Sequence, residues 1–241
     1  MSYRLQIACA WCGPLMTLGF FVGLMLLAGF IPPPSPADSA AEIAQMYRDN
    51  TTGIRLGLFI AMLATGLLCP FYAVIAVQMK RIEGRSSPLT YTQIIAGACS
   101  TLEIVLPMMI WQAAAFRPER DDEFIRTLND MAWLPFLGLT TTVVIQNAVI
   151  GIIILRDPRP QPILPRWFAY VNFWVGLMVV PAGFIVFFKT GPFAWDGLLA
   201  WWMPVAAFFG WIILTAILVT AAARRQHADG EDDPAVFGGA G

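Results

Sequence analysis

Charge is scarce in this 241-residue chain, and that scarcity decides its class. Charged residues make up 13% and hydrophobic ones 58%, against about 25% and 45–50% in soluble domains. The net charge is −1 and basic residues are scattered, which excludes nucleic acid as a partner. Histidine is nearly absent: the single copy, His227, lies beyond the last apolar run, so no histidine site is available within those runs. No GxSxG, HExxH, Walker or dinucleotide fingerprint occurs. No catalytic residue, cofactor or metal site is therefore assigned, and nothing supports an enzyme. The carboxylates outside the apolar runs, among them Asp38, Asp49, Asp121 and Asp196, have no spacing that specifies a metal.

Long apolar runs are what the chain does have. Six meet the length of a membrane-spanning helix, at about 8–31, 54–79, 91–116, 131–155, 167–189 and 198–222. The pattern predicts an all-α, six-span bundle over residues 1–225 in a lipid bilayer, followed by a disordered tail at 226–241. The first run is longer than the apolar core of a secretory signal. Pro32-Pro33-Pro34 also separates it from the small residues Ser39-Ala40-Ala41, so it reads as an uncleaved span. Arg4, Lys80, Arg81, Arg85, Arg156, Arg159, Arg166, Arg224 and Arg225 fall on one side. They outnumber Arg48, Arg55, Arg117, Arg120, Arg126 and Lys189 on the other, so both termini are expected in the cytoplasm at the cell membrane.

Two outer loops predict short amphipathic helices. Ser39-Ala40-Ala41-Glu42 fits a capping box ahead of Ile43, Met46 and Tyr47, and Phe124, Ile125 and Leu128 form a second stripe. Trp133, Trp167, Trp195, Trp201 and Trp202 sit near span ends as an aromatic belt. The inner loops Arg81–Arg85 and Arg156–Pro160 are topology determinants that could touch anionic lipid heads. Each span carries a proline. Pro14, Pro135 and Pro204 fall near helix starts, whereas Pro70, Pro107 and Pro181 lie deeper and predict kinks. The matching positions of Pro70 and Pro181 hint at an inverted three-plus-three repeat, which Pro107 and Pro204 break.

One residue stands apart. Glu103 is the only acidic residue in these runs, near the middle of the third, and no Lys or Arg shares their interiors. An ionised acid there costs roughly 2.5–3.5 kcal/mol on insertion, so the neutral acid is the expected form. Pro107, four residues on, has no N–H for the Glu103 carbonyl. Ala96, Cys99, Ser100, Glu103 and Pro107 share a face of mostly small residues that should point into the bundle. On the fourth span Thr140, Asn147 and Gly151 recur on one face with Gln146 beside them. Counting from the inner ends places Asn147 about 6 Å inward of Glu103, near the level of Ser100. The candidate ligand- or proton-binding residues are thus Glu103, Asn147, Gln146, Ser100 and Thr140.

Cys9-Ala10-Trp11-Cys12 matches CxxC, but with Cys69 and Cys99 it spreads over several depths and lacks a βαβ context, so it reads as packing. Two functions remain. One is a small transporter or a protein binding a hydrophobic ligand or lipid around Glu103. The other is a non-catalytic accessory or scaffolding subunit, with a homo-oligomer or a larger membrane complex as partner. A cavity bordering Glu103 favours the first; a Glu103 sealed against Asn147 or Gln146 favours the second.

Overall fold

The computed structural model describes residues 3–229, and among these it is helical throughout, with no strand. Six stretches are long and apolar enough to cross a membrane: Tyr3–Leu27, Thr51–Glu83, Pro88–Phe116, Asp122–Leu155, Arg166–Phe187 and Leu198–Ala228. The chain is a multi-pass membrane protein. Each span packs on its neighbours in sequence, and the sixth returns to the first, so the six form a closed ring.

Only the third span is one uninterrupted α-helix. The first consists of α1 (Tyr3–Phe21) and a wider π-helical segment, Val22–Leu27. After α2 (Ala40–Asp49), the second is split at Gly66–Leu67 into α3 (Thr51–Thr65) and α4 (Leu68–Glu83), with Pro70 in the first turn of α4. The third is α5 (Pro88–Phe116), which continues through Pro107. The fourth divides into α6 (Asp122–Gly138) and α7 (Thr141–Leu155). The fifth passes from α8 (Arg166–Val179) into a 3-10 segment, Val180–Phe187, whose second residue is Pro181. The sixth opens with a π-helical turn, Leu198–Trp202, before α9 (Met203–Ala228).

Polar side chains complete the ends that these breaks leave open. Asn50 Nδ2 donates to Leu27 O at 2.9 Å and Ala28 O at 3.3 Å, satisfying carbonyls where the first span ends. Arg55 donates to Ala115 O (3.0 Å) and Phe116 O (2.8 Å), a cation at the negative end of α5. Glu83 accepts from the backbone of Leu89 (3.0 Å) and Thr90 (2.9 Å) at the opposite end of the same helix. The α2 capping box is present, with Ser39 and Glu42 reciprocally bonded. Those bonds hold the Glu42 carboxyl below its ordinary range, the Ser39 hydroxyl contributing most. At the first and second spans the backbones nearly touch: a Cβ on Gly23 or Gly57 would overlap the other's carbonyl oxygen.

Four expectations change. The stripe at Phe124–Leu128 is helical, but it forms the first turns of α6 rather than a separate helix. Pro14 lies deep in α1 and Pro135 in the last turn of α6, because those helices begin earlier than their apolar runs. Gln226 and His227, expected in the tail, belong to α9. Gln226 accepts from Gln6 at 3.3 Å, and His227 stacks on Tyr3 with ring centroids 4.0 Å apart. These contacts hold the two described ends on one face of the bundle; residues 230–241 of the expected tail lie outside the described residues. Finally, Trp133, Trp195 and Trp201 are buried rather than belt-forming. With Phe30, Trp111 and Phe136 they fill the half of the bundle nearer α2, in ring contacts such as Trp111–Trp133 at 4.7 Å and Trp133–Trp201 at 5.5 Å. Trp167 and Trp202 remain half exposed.

Candidate functional site

The half of the ring nearer the described ends is closed across its middle by α4, which reaches both α7 and α9. Phe71 of α4 meets Trp211 at 5.9 Å, and Tyr72 packs beside it. Polar side chains gather here: Gln78 donates to Gln6 at 2.6 Å, and Trp211 Nε1 to Asn172 Oδ1 at 2.9 Å. The other half holds the aromatic cluster. Between the two lies a cavity of about 110 Å³ with walls from the first, third, fourth, fifth and sixth spans.

Most of its lining is apolar, including Phe20, Phe136, Val143, Val205, Phe208 and Phe209. Three groups differ: the Glu103 carboxyl and the Ser100 and Thr140 hydroxyls. Among the described residues no lysine or arginine borders the cavity. Glu103 is partly buried, and its Oε2 accepts from Thr142 Oγ1 at 2.5 Å. Its Oε1 makes no hydrogen bond among the described residues. Ser100 Oγ lies 3.2 Å from Tyr72 Oη and 3.0 Å from Gly97 O, and its one proton can be donated to either. Trp201 is fully buried, and its Nε1 has no partner. Leu139, one wall residue, is 50% exposed, so the cavity adjoins the outer surface of the bundle at the break in the fourth span.

That break sets the geometry. Leu139 N bonds Pro135 O (3.3 Å) and Thr140 N bonds Gly138 O (3.0 Å), so the regular ladder stops and restarts at Thr141. Thr140 consequently stands at the cavity as the residue before α7, while Thr142 in the first turn of α7 meets Glu103.

Of the five residues singled out from the sequence, the cavity brings together Glu103, Ser100 and Thr140. Asn147 and Gln146 do not join them. Both are fully buried but absent from the cavity wall, and neither bonds Glu103. Asn147 Nδ2 donates to Val143 O at 2.9 Å, leaving Oδ1 unpartnered. Gln146 leaves both amide atoms unpartnered and packs over Gly97, where a Cβ would lie 3.1 Å from Nε2 and 2.7 Å from the Tyr72 ring. Counting residues puts Asn147 too far inward, and a step of five residues outward, about 7.5 Å, reaches Thr142. Thr140 and Asn147 are seven residues apart, but the interruption at Leu139–Thr140 takes Thr140 off the face of α7 and brings Thr142 to Glu103. The aromatic wall has no periodic signal in the sequence.

The thiols of Cys9, Cys12, Cys69 and Cys99 are free, the last two exposed. Among the described residues no group of three or more His, Cys, Asp or Glu is placed to hold a metal ion. Compared with protein-family models, characterised proteins and solved structures, the chain matches none.

Proposed function

We propose that this protein binds, in the cavity beside Glu103, a small hydrophobic molecule or the end of a longer lipid-like one, carrying one or two polar atoms. The observation that carries this reading is the cavity's composition: apolar and aromatic walls around the Glu103 carboxyl, whose Oε1 has no partner among the described residues, and the Ser100 and Thr140 hydroxyls. Apolar walls reward burial of a hydrocarbon skeleton, and a few placed polar groups set its orientation.

Size narrows the class. An engineered cavity of roughly 150 Å³ takes up benzene, whereas pockets for whole drug-sized ligands run about 300–1,000 Å³. A space of about 110 Å³ suits one ring or a short chain end. Leu139 on its partly exposed rim is where a longer tail would leave toward the lipid.

The test is chemical extraction. Wild-type protein and Val205→Phe, which fills the cavity, are purified in mild detergent and their small molecules analysed by mass spectrometry. One apolar species enriched in wild type and lost from Val205→Phe is expected. Identical extracts would favour the accessory-subunit reading instead. A transport role draws on one specific observation, the interrupted fourth span beside a lone carboxyl, an arrangement that transporters use at substrate sites. In that case Glu103→Gln abolishes pH dependence of uptake into proteoliposomes while expression is unchanged.

A further inference from the structure

A second concavity lies outside the ring, separated from the central cavity by the Ser100–Tyr72 hydrogen bond. It is a groove of about 330 Å³ between α4 and α5, lined by Cys69, Tyr72, Ala73, Ala76, Val77, Lys80, Thr90, Tyr91, Ile94 and Ala98. From Lys80 to Cys69 runs eleven residues of helix, about 16 Å, close to half of a hydrocarbon core roughly 30 Å thick. The groove therefore runs the depth of one leaflet, with small side chains on its floor.

Its two ends differ in chemistry. The deep end is bounded by Cys69 and Ala98. At the end near the bundle face, Lys80 is exposed and makes no hydrogen bond or ion pair among the described residues. Tyr91, 51% exposed, offers a hydroxyl from the first turn of α5. The carboxylate one turn beyond Lys80, Glu83, is already taken up by Leu89, Thr90 N and Thr90 Oγ1. An unpaired cation at headgroup depth above an apolar trough one leaflet long matches an acyl chain joined to a negatively charged head.

We propose that this groove is a binding site for an acidic phospholipid, one acyl chain lying between α4 and α5 and its anionic headgroup meeting the Lys80 ammonium and the Tyr91 hydroxyl. A zwitterionic phospholipid fills the same trough, but its own cationic group offsets the attraction to Lys80, so headgroup charge sets the preference. This site is independent of the ligand assigned to the central cavity.

Native mass spectrometry of the full chain equilibrated with phosphatidylglycerol and phosphatidylcholine of matched chains tests it. Wild type is expected to retain one phosphatidylglycerol with a preference of about fivefold, the scale of one basic residue at a charged membrane surface. Lys80→Gln should erase the preference while leaving phosphatidylcholine uptake unchanged. Ala73→Phe and Ala98→Phe, each on the exposed side of the groove, should lower retention of both lipids. Arg85→Gln, an exposed basic residue on the same face but outside the groove, should behave as wild type. Equal retention of the two lipids by wild type, or an undiminished preference in Lys80→Gln, would overturn the proposal. Because the fillings sit at the lipid-facing side and Val205→Phe does not touch this groove, failure here is distinct from failure of the cavity reading.

Discussion

At the scale of single residues, Glu103 has two carboxyl oxygens and one protein partner among the described residues. Thr142 satisfies one; the other borders the cavity. Interhelical hydrogen bonds within membranes average about 0.6 kcal/mol and reach about 1.7, so the Thr142 bond alone is weak glue. Glu103→Leu is accordingly expected to cost less than about 1 kcal/mol, because an apolar side chain suits the site and Thr142 can bond back along its own helix. Ligand retention should nonetheless fall sharply. Thermal unfolding and extraction of the same sample separate the two effects; a large loss of stability with unchanged ligand content would make Glu103 structural. Trp201→Phe keeps the ring packing with Trp133 and removes a fully buried N–H that has no partner among the described residues. Stability should rise by about 1–3 kcal/mol, the cost of an unsatisfied buried donor, with ligand retention unchanged. A fall in thermal stability would contradict the absence of a partner.

At the scale of elements, the readable features were those governed by short-range chemistry. The spacing Ser39–Glu42 is sufficient to specify a capping box, and the structure has it. Ser39→Ala should cost about 1 kcal/mol in α2, seen as faster amide exchange at residues 40–49. The pH dependence has a definite sign. The folded Glu42 carboxyl is held below its unfolded range by Ser39, so its contribution is present above the unfolded pKa and is lost as pH falls through the lower folded value. Exchange in α2 should accelerate in that acidic window in wild type and not in Glu42→Gln; parallel profiles would contradict the cap. The break at Leu139–Thr140 follows Gly138 directly, with Pro135 in the turn before it, but glycine and proline are ordinary in membrane helices and do not by themselves mark a break. Tertiary contact between Thr142 and the Glu103 carboxyl accompanies the interruption. The break puts Thr142 rather than Asn147 against Glu103, a contact that a continuous helical face does not predict.

At the scale of the whole molecule, composition was enough for six spans, because membrane helices must satisfy their backbones internally and carry about 20 apolar residues each. The order in which the spans close into a ring was not, since apolar faces toward lipid and toward a neighbour look alike in sequence. Leu102, Leu106 and Ile145 are exposed, while Met108, Ile150 and Ile154 are buried in the same helices. We propose an orientation from charge alone: the excess of basic residues predicts that the loops at Arg81–Arg85 and Arg156–Arg166 face the cytoplasm. With the native cysteines replaced, a cysteine at Ser86 should react with an impermeant thiol reagent only after cells are opened, and one at Ala37 should react in intact cells. The reverse pattern would invert the molecule in its membrane.

The central claim is that the cavity among Phe20, Glu103, Thr140 and Trp201 is occupied in the working protein. An experimental density map of wild type and Val205→Phe, both purified in mild detergent, tests it most directly. Density is expected in the wild-type cavity, within hydrogen-bonding distance of the Glu103 carboxyl, and is expected to be missing from the filled variant. A dry, featureless cavity in wild type, with Glu103 bonded only to Thr142, would contradict it.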